Sequence, residues 1–136
     1  MTNIGIKERQ VGGVTILDTI GNGRVGLRFG TSTVTLPRAV QSLLEEGHDK
    51  ILLNLKGIAY IDAGGLGELV SAYITVNEKG GRMKLLNLTE LLRELMMTTK
   101  LLTLFDVYQN EAEAVNSFEK RESGPGGELA DGSSNV

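Results

Sequence analysis

Three stretches in the first third of the chain alternate apolar and polar residues, which is the pattern of half-buried β-strands. They are IGIKERQV, VTILDTIG and RVGLRFG, the last with Val25, Leu27 and Phe29 at a spacing of two. Gly12 and Gly13 separate the first two stretches. The pattern predicts three strands, with a hairpin among them.

At Leu36 the apolar spacing changes to that of a helix. Apolar residues recur at i, i+3, i+4, i+7 and i+8, with Pro37 in the first turn and Gly47 at the expected end. The stretch KILLNLKGIAYI that follows is almost continuously apolar, which is typical of a strand buried on both faces. The core of this strand is predicted at residues 51–55.

A second helix is predicted directly after this strand, with an apolar face and a polar face. The apolar face holds Leu66, Leu69, Tyr73 and Val76, and the polar face holds Glu68, Ser71, Thr75, Glu78 and Lys79. Gly80 and Gly81 are expected to end the helix.

The last third of the chain twice places an asparagine three residues before a glutamate, in the manner of a capping box. Asn87 with Glu90 predicts a helix after the strand RMKLLNL, with an apolar face that extends to Leu102. Asn110 with Glu113 predicts a final helix after the short strand LFDVYQ.

The later strands alternate with helices, which implies parallel crossover connections. We therefore expect an α/β fold with a mixed β-sheet of about four to six strands and about four helices packed on it. Residues 1–118 would form this single domain. Residues 119–136 contain mainly Gly, Ser, Pro and charged residues, so they cannot bury enough apolar surface to offset their ordering entropy, and we expect a disordered tail.

Composition narrows the possible function classes. The 136 residues include no cysteine, which excludes disulfides, thiolate nucleophiles and cysteine metal ligands. A net charge of −3 disfavours direct nucleic-acid binding, because that binding depends on basic side chains. No apolar run approaches the roughly 20 residues that span a bilayer, and MTNIGIKERQ lacks the layout of a signal peptide. We expect a cytoplasmic protein without membrane contact.

The common catalytic signatures are absent from the sequence. There is no GxSxG nucleophile elbow and no Walker phosphate loop. The single histidine, His48, lies in the polar stretch EEGHDK, where no motif supplies a partner. Capping and solvation explain carboxylates such as Glu111 and Glu113. We therefore expect a non-catalytic protein with no cofactor and no metal site.

The stretch YIDAGGLGELV joins the buried strand to the second helix. Asp62 is placed to cap the helix by accepting hydrogen bonds from its first N–H groups. Gly64, Gly65 and Gly67 lie in the first turns, where each glycine costs about 1 kcal/mol relative to alanine. Two explanations of the glycines remain open: a contact surface that another molecule approaches closely, or tight packing of the helix on the sheet.

This turn and the stretches that follow it resemble the STAS domain of bacterial anti-sigma factor antagonists. The family marker is an apolar strand followed by Asp-Ser-Ser-Gly-Leu/Ile-Gly at the start of a helix, and Asp62, Gly65, Leu66 and Gly67 match it. Further matches occur in GGRMKLLNL and in LLTLFDVYQNEAEAV. The resemblance covers residues 4–118.

The resemblance implies a partner switch. Such antagonists bind an anti-sigma factor, usually a serine kinase of the histidine-kinase-like ATPase type, and so release a sigma factor. The kinase phosphorylates the second serine of the motif, which ejects the antagonist, and a PP2C-type phosphatase restores it. The resemblance thus assigns partner binding to Asp62, Ala63, Gly64, Gly65, Leu66 and Gly67.

The chain departs from the family marker at the two serines. Ala63 and Gly64 occupy these positions and have no hydroxyl, so phosphorylation at the usual site is impossible. Ser71 and Thr75 lie further along the helix, on its predicted outer face, and the segment 31–33 supplies hydroxyls before the first helix. Two alternatives stay open: a scaffold or adaptor in a larger signalling assembly, and a domain that binds a nucleotide or lipid.

Overall fold

The computed structural model describes residues 5–20, 36–58, 61 and 63–119. Its elements, in chain order, are β1 (Gly5–Val11), β2 (Val14–Ile20), α1 (Leu36–Glu45), β3 (Lys50–Asn54), α2 (Ala63–Glu78), β4 (Arg82–Leu86), α3 (Glu90–Thr98), a 3-10 helix (Leu101–Leu104), β5 (Val107–Tyr108) and α4 (Glu111–Glu119). The strand predicted in RVGLRFG, the hydroxyls of 31–33 and residues 120–136 of the predicted tail lie outside the described residues.

The described strands form one mixed sheet in the order β1-β2-β3-β4-β5. β1 and β2 are antiparallel and are joined by Gly12 and Gly13, whose φ angles of 57° and 83° suit glycine in a tight hairpin. The strands from β2 to β5 pair in parallel. The mixed sheet with parallel crossovers is therefore confirmed.

Helices cover both faces of the sheet. α1, α2 and α3 share one core cluster with Ile51 and Leu53, while α4 packs on the opposite face against Ile16 and Leu52. The side chains of Ile51, Leu52 and Leu53 are fully buried, as the continuous apolar run predicts. A strand with helices on both sides has no face towards solvent, so its residues need not alternate between apolar and polar.

Several predicted helix ends are confirmed. Gly47 follows α1 with a φ of 92°, and Gly80 follows α2 with a φ of 81°, the left-handed conformation that glycine adopts most easily. The side chain of Asn110 accepts a hydrogen bond from the Glu113 N–H at 2.9 Å, as a cap of α4 should.

Two predictions about α3 are wrong. Its N-cap is Thr89, whose hydroxyl accepts from the Leu92 N–H at 3.2 Å, whereas Asn87 lies two residues earlier and adopts a φ of 63°. Leu102 does not belong to the helix either. Lys100 takes a left-handed φ of 64°, which ends α3 and starts the separate 3-10 helix.

Candidate functional site

The start of α2 lies at the carboxyl edge of the parallel strands. The chain leaves β3 through a turn in which the Ile58 N–H donates to the Leu55 carbonyl at 3.0 Å. The Ile58 carbonyl in turn accepts from the Thr89 hydroxyl at 3.5 Å, which ties this connection to the start of α3. Open α/β sheets commonly bind their ligands at this edge.

The residues assigned to partner binding divide into an inner and an outer group. Gly65 is buried, and Leu66 is half-buried against the core cluster. The exposed members are Ala63, Gly64 and Gly67. Asp62 lies outside the described residues, so its capping role stays a prediction.

Packing against the residues that the structure describes does not explain Gly67. Its φ is not in the positive region, and a Cβ atom added to it would meet nothing within 4 Å. Gly57 shows the opposite case, because a Cβ there would lie 2.8 Å from the Thr19 carbonyl oxygen. Tight packing on the sheet can explain the buried Gly65, but it cannot explain the glycine at position 67.

The outer face of α2 carries apolar residues that the division into two faces overlooked. Val70 is half-buried and Ile74 is 48% exposed. With Leu66 and with Leu101 of the 3-10 helix, they wall a groove of about 590 Å³. The small residues Ala63, Gly67, Ser71 and Thr75 complete its lining. The available signal was that apolar residues occur around most of the helix, which is unusual for a helix with one solvent face.

A polar network occupies the same edge of the sheet on the α4 face. The Arg9 guanidinium donates to Asp18 at 2.6 and 3.2 Å and to Glu111 at 2.8 and 3.2 Å. Asn54 donates to Asp18 at 2.8 Å and accepts from Asn87 at 3.2 Å. The sequence predicted only that Glu111 is solvated or stabilises the start of its helix. In the structure it also contacts Arg9 of β1.

This network shifts the pKa values of its charged members. Burial alone would raise the pKa of Asp18, but the hydrogen bonds from Arg9 and Asn54 outweigh it and hold that pKa below the usual range. The hydrogen bond from Arg9 also lowers the pKa of Glu111. Glu111 and Asp18 together raise the pKa of Arg9. All three groups are therefore charged near neutral pH.

The sequence profile of the STAS domain matches residues 10–114, most of the chain and all of α2. The chain belongs to the STAS domain family. This confirms the resemblance drawn from the turn and the stretches after it. It also places the groove and the exposed glycines within the STAS domain itself.

Proteins similar to this STAS chain share the name anti-sigma factor antagonist. An anti-sigma F factor antagonist of Paenibacillus polymyxa is 26% identical over 117 residues, covering 86% of this chain and 97% of that protein. An anti-sigma-B factor antagonist of Bacillus subtilis is 36% identical over 76 residues, covering 56% and 69% respectively. The crystal structure of a candidate anti-sigma factor antagonist of Thermotoga maritima superimposes with a TM-score of 0.71 at 23% identity, covering 85% and 95%. At this identity, the similarity to the Thermotoga maritima structure shows a shared fold and nothing more.

Other candidate chemistry in the STAS domain is sparse. Among the described residues there is no group of three or more His, Asp or Glu that could hold a metal ion. The His48 imidazole is 37% exposed, and its contact with Glu46 is long at 3.9 Å. No helix in the described ranges is long and apolar enough to cross a membrane.

Proposed function

We propose that this STAS protein is a non-catalytic regulator that binds an anti-sigma factor through the start of α2 and so releases a sigma factor by partner switching. The observation that carries the proposal is Gly67, an exposed helical glycine that no contact with the described residues requires. The names of the similar proteins supply the class of partner. That partner would be a serine-kinase-like ATPase.

The start of α2 has the physical properties of a docking surface. Ala63, Gly64 and Gly67 present little side chain, so a partner backbone can approach the helix closely. The first N–H groups of the helix also favour a negatively charged group on the partner. Leu66 and Val70 continue this surface with apolar area that becomes buried on binding.

We further propose that binding proceeds without phosphorylation at the usual position, because Ala63 and Gly64 carry no hydroxyl. The next hydroxyl along α2 is that of Ser71, about two turns beyond Gly64. Ser71 is exposed and lines the apolar groove. A phosphate at Ser71 would therefore introduce about two negative charges into a different part of the surface.

Replacement of Gly64 by glutamate tests the docking surface. Purified wild type and Gly64→Glu protein are compared by calorimetric titration against candidate serine-kinase-like anti-sigma factors. A bulky charged side chain in a close contact should weaken binding at least tenfold. Asn77→Glu, at the exposed far end of the same helix, is the matched control and should bind like wild type. Equal binding of Gly64→Glu and wild type would remove the turn from the interface.

Incubation with the kinase and ATP tests the absence of phosphorylation control. Mass spectrometry should find no phosphate on the wild-type protein under conditions that modify a serine-containing antagonist. Engineering Gly64→Ser should create a site that the kinase modifies and that a PP2C-type phosphatase clears. Phosphate on the wild type, at Ser71 or elsewhere, would contradict this part of the proposal.

A further inference from the structure

Helix α2 also carries large apolar residues on the side that faces away from the sheet. Gly65, Leu69, Ala72 and Val76 face the core, yet Ile74 on the opposite side is 48% exposed. A surface helix normally places charged residues there, whereas a helix that is apolar all round is normally covered. The described residues leave this side open as the groove defined above.

The groove has the shape that helix packing requires, with a ridge of large side chains beside a row of small ones. Leu66, Val70 and Ile74 are spaced by four residues and form a ridge, and Ala63, Gly67, Ser71 and Thr75 form a parallel row of small side chains. Rows of this kind interlock along their length when two helices pack at the shallow crossing angle of about 20° that is typical of four-helix bundles. The ridge and the groove lie side by side on the same helix. Two copies of α2 can therefore each fill the groove of the other around a twofold axis.

We propose that the groove binds a second copy of this chain, with the two α2 helices antiparallel. In this register Ile74 of one copy lies opposite Gly67 of the second copy, and Val70 lies opposite Ser71. The ridge continues to Glu78, which then reaches the start of α2 in the second copy near Ala63.

Charge complementarity favours this occupant. No side chain in the first turn of α2, residues 63–66, is acidic. A cap at Asp62 would satisfy one of the four N–H groups that have no partner within the helix, and the others still favour an anion. Glu78 is exposed at the opposite end of the same helix. An antiparallel pair supplies one such carboxylate to each helix start, and it also opposes the two helix dipoles. A parallel pair would bring like ends together.

The dimer has a consequence that rests on the proposed function. It would cover Ala63 and Gly67, so that one surface would serve either a second copy or the anti-sigma factor. Dimerisation would then keep the chain from binding its partner, because the dimer and the complex with the anti-sigma factor would compete for the same surface. The dimer itself can be tested on the purified chain without any partner.

Sedimentation velocity tests the dimer directly. A single helix crossing is a small interface, so we expect reversible, weak association that increases with concentration up to about 1 mM. Ile74→Glu should weaken the association at least tenfold. Leu91→Glu is the matched control, because Leu91 on α3 is 55% exposed but does not line the groove. A wild type that stays monomeric to that concentration, or an Ile74→Glu protein that associates like wild type, overturns the proposal.

Cysteine cross-linking tests the register, since the chain has no cysteine of its own. In the Ala63→Cys, Glu78→Cys double variant the two thiols lie about 22 Å apart along one helix, too far for an internal disulfide. Mild oxidation should therefore give a covalent dimer. Neither single variant should form a covalent dimer, because an antiparallel pair holds its two copies of either residue at opposite ends. Efficient cross-linking of a single variant, or none of the double variant, contradicts the register.

Partner titration separates the two proposals. If wild type is monomeric and Ile74→Glu loses the anti-sigma factor, the groove belongs to that partner and the dimer is refuted while the proposed function stands. If wild type forms the cross-linked dimer but no candidate anti-sigma factor binds, the proposed function fails and the dimer stands.

Discussion

Different structural reasons account for individual glycines in this chain, and the sequence alone does not distinguish these reasons. Gly57 avoids a contact with the Thr19 carbonyl, Gly80 adopts a positive φ, and Gly67 does neither. The sequence identified the glycines of the turn as unusual but left open whether they pack inward or outward. That depends on the rotation of α2 about its axis, which only the packing against the sheet determines.

Gly67→Ala should stabilise the protein. Gly67 has helical backbone angles and free space at the Cβ position, so alanine adds helix propensity without a clash. We expect the free energy of unfolding to increase by about 1 kcal/mol in urea denaturation. Gly80→Ala is the contrasting variant and should destabilise, because its φ of 81° strains any residue with a Cβ. A loss of stability in Gly67→Ala would contradict the open space described for this residue.

Helix α4 shows how an element can be held by residues distant in sequence. Arg82 donates to the Phe118 carbonyl at 2.8 Å, and the Lys84 ammonium donates to the Ser117 hydroxyl at 2.9 Å. These cations from β4 meet the negative end of the helix dipole. The cap at Asn110 was predicted because it is local. The contacts with β4 were not, because they require knowledge of which strand lies beneath the helix.

Lys84→Met should destabilise the protein by about 2 kcal/mol. Methionine keeps most of the apolar stem of a side chain that is 5% exposed but removes the ammonium group from the end of α4. Lys50→Met, at the start of β3 and half-buried, is the control and should cost little. Denaturation of both variants measures the difference. Equal effects would show that the contact with Ser117 contributes no specific stability.

The fold of the whole molecule could largely be predicted from periodicity. The alternation of strands and helices predicted the parallel sheet, and the continuous apolar run predicted β3 between two helical layers. The outer groove was not predicted, because Val70 and Ile74 were assigned to neither the apolar nor the polar face of α2. The ion pairs of Arg9 also escaped prediction. One joins the neighbouring strands β1 and β2 through Asp18, and the other joins β1 to α4 through Glu111, which lies far away in the sequence.

These ion pairs make the stability of the whole domain depend on pH. Asp18 and Glu111 have folded pKa values below their usual values near 3.9 and 4.3, so their contribution is complete above about pH 5 and is lost as pH falls through the folded values. Asp18→Asn should cost about 1–3 kcal/mol at pH 7, and this difference from wild type should shrink on acidification. Glu111→Gln should cost less, at most about 1 kcal/mol, because Glu111 is 40% exposed. Urea denaturation at several pH values measures both. A difference that stays constant down to pH 3 would contradict the assignment.

The start of α2 is the proposed binding surface for the anti-sigma factor. The most direct measurement is a titration of ¹⁵N-labelled protein with a purified serine-kinase-like anti-sigma factor, followed by the backbone amide signals. We expect the largest chemical-shift changes at residues 63–67, with little change in α4 on the opposite face of the sheet. Binding that leaves the signals of residues 63–67 unchanged would contradict it.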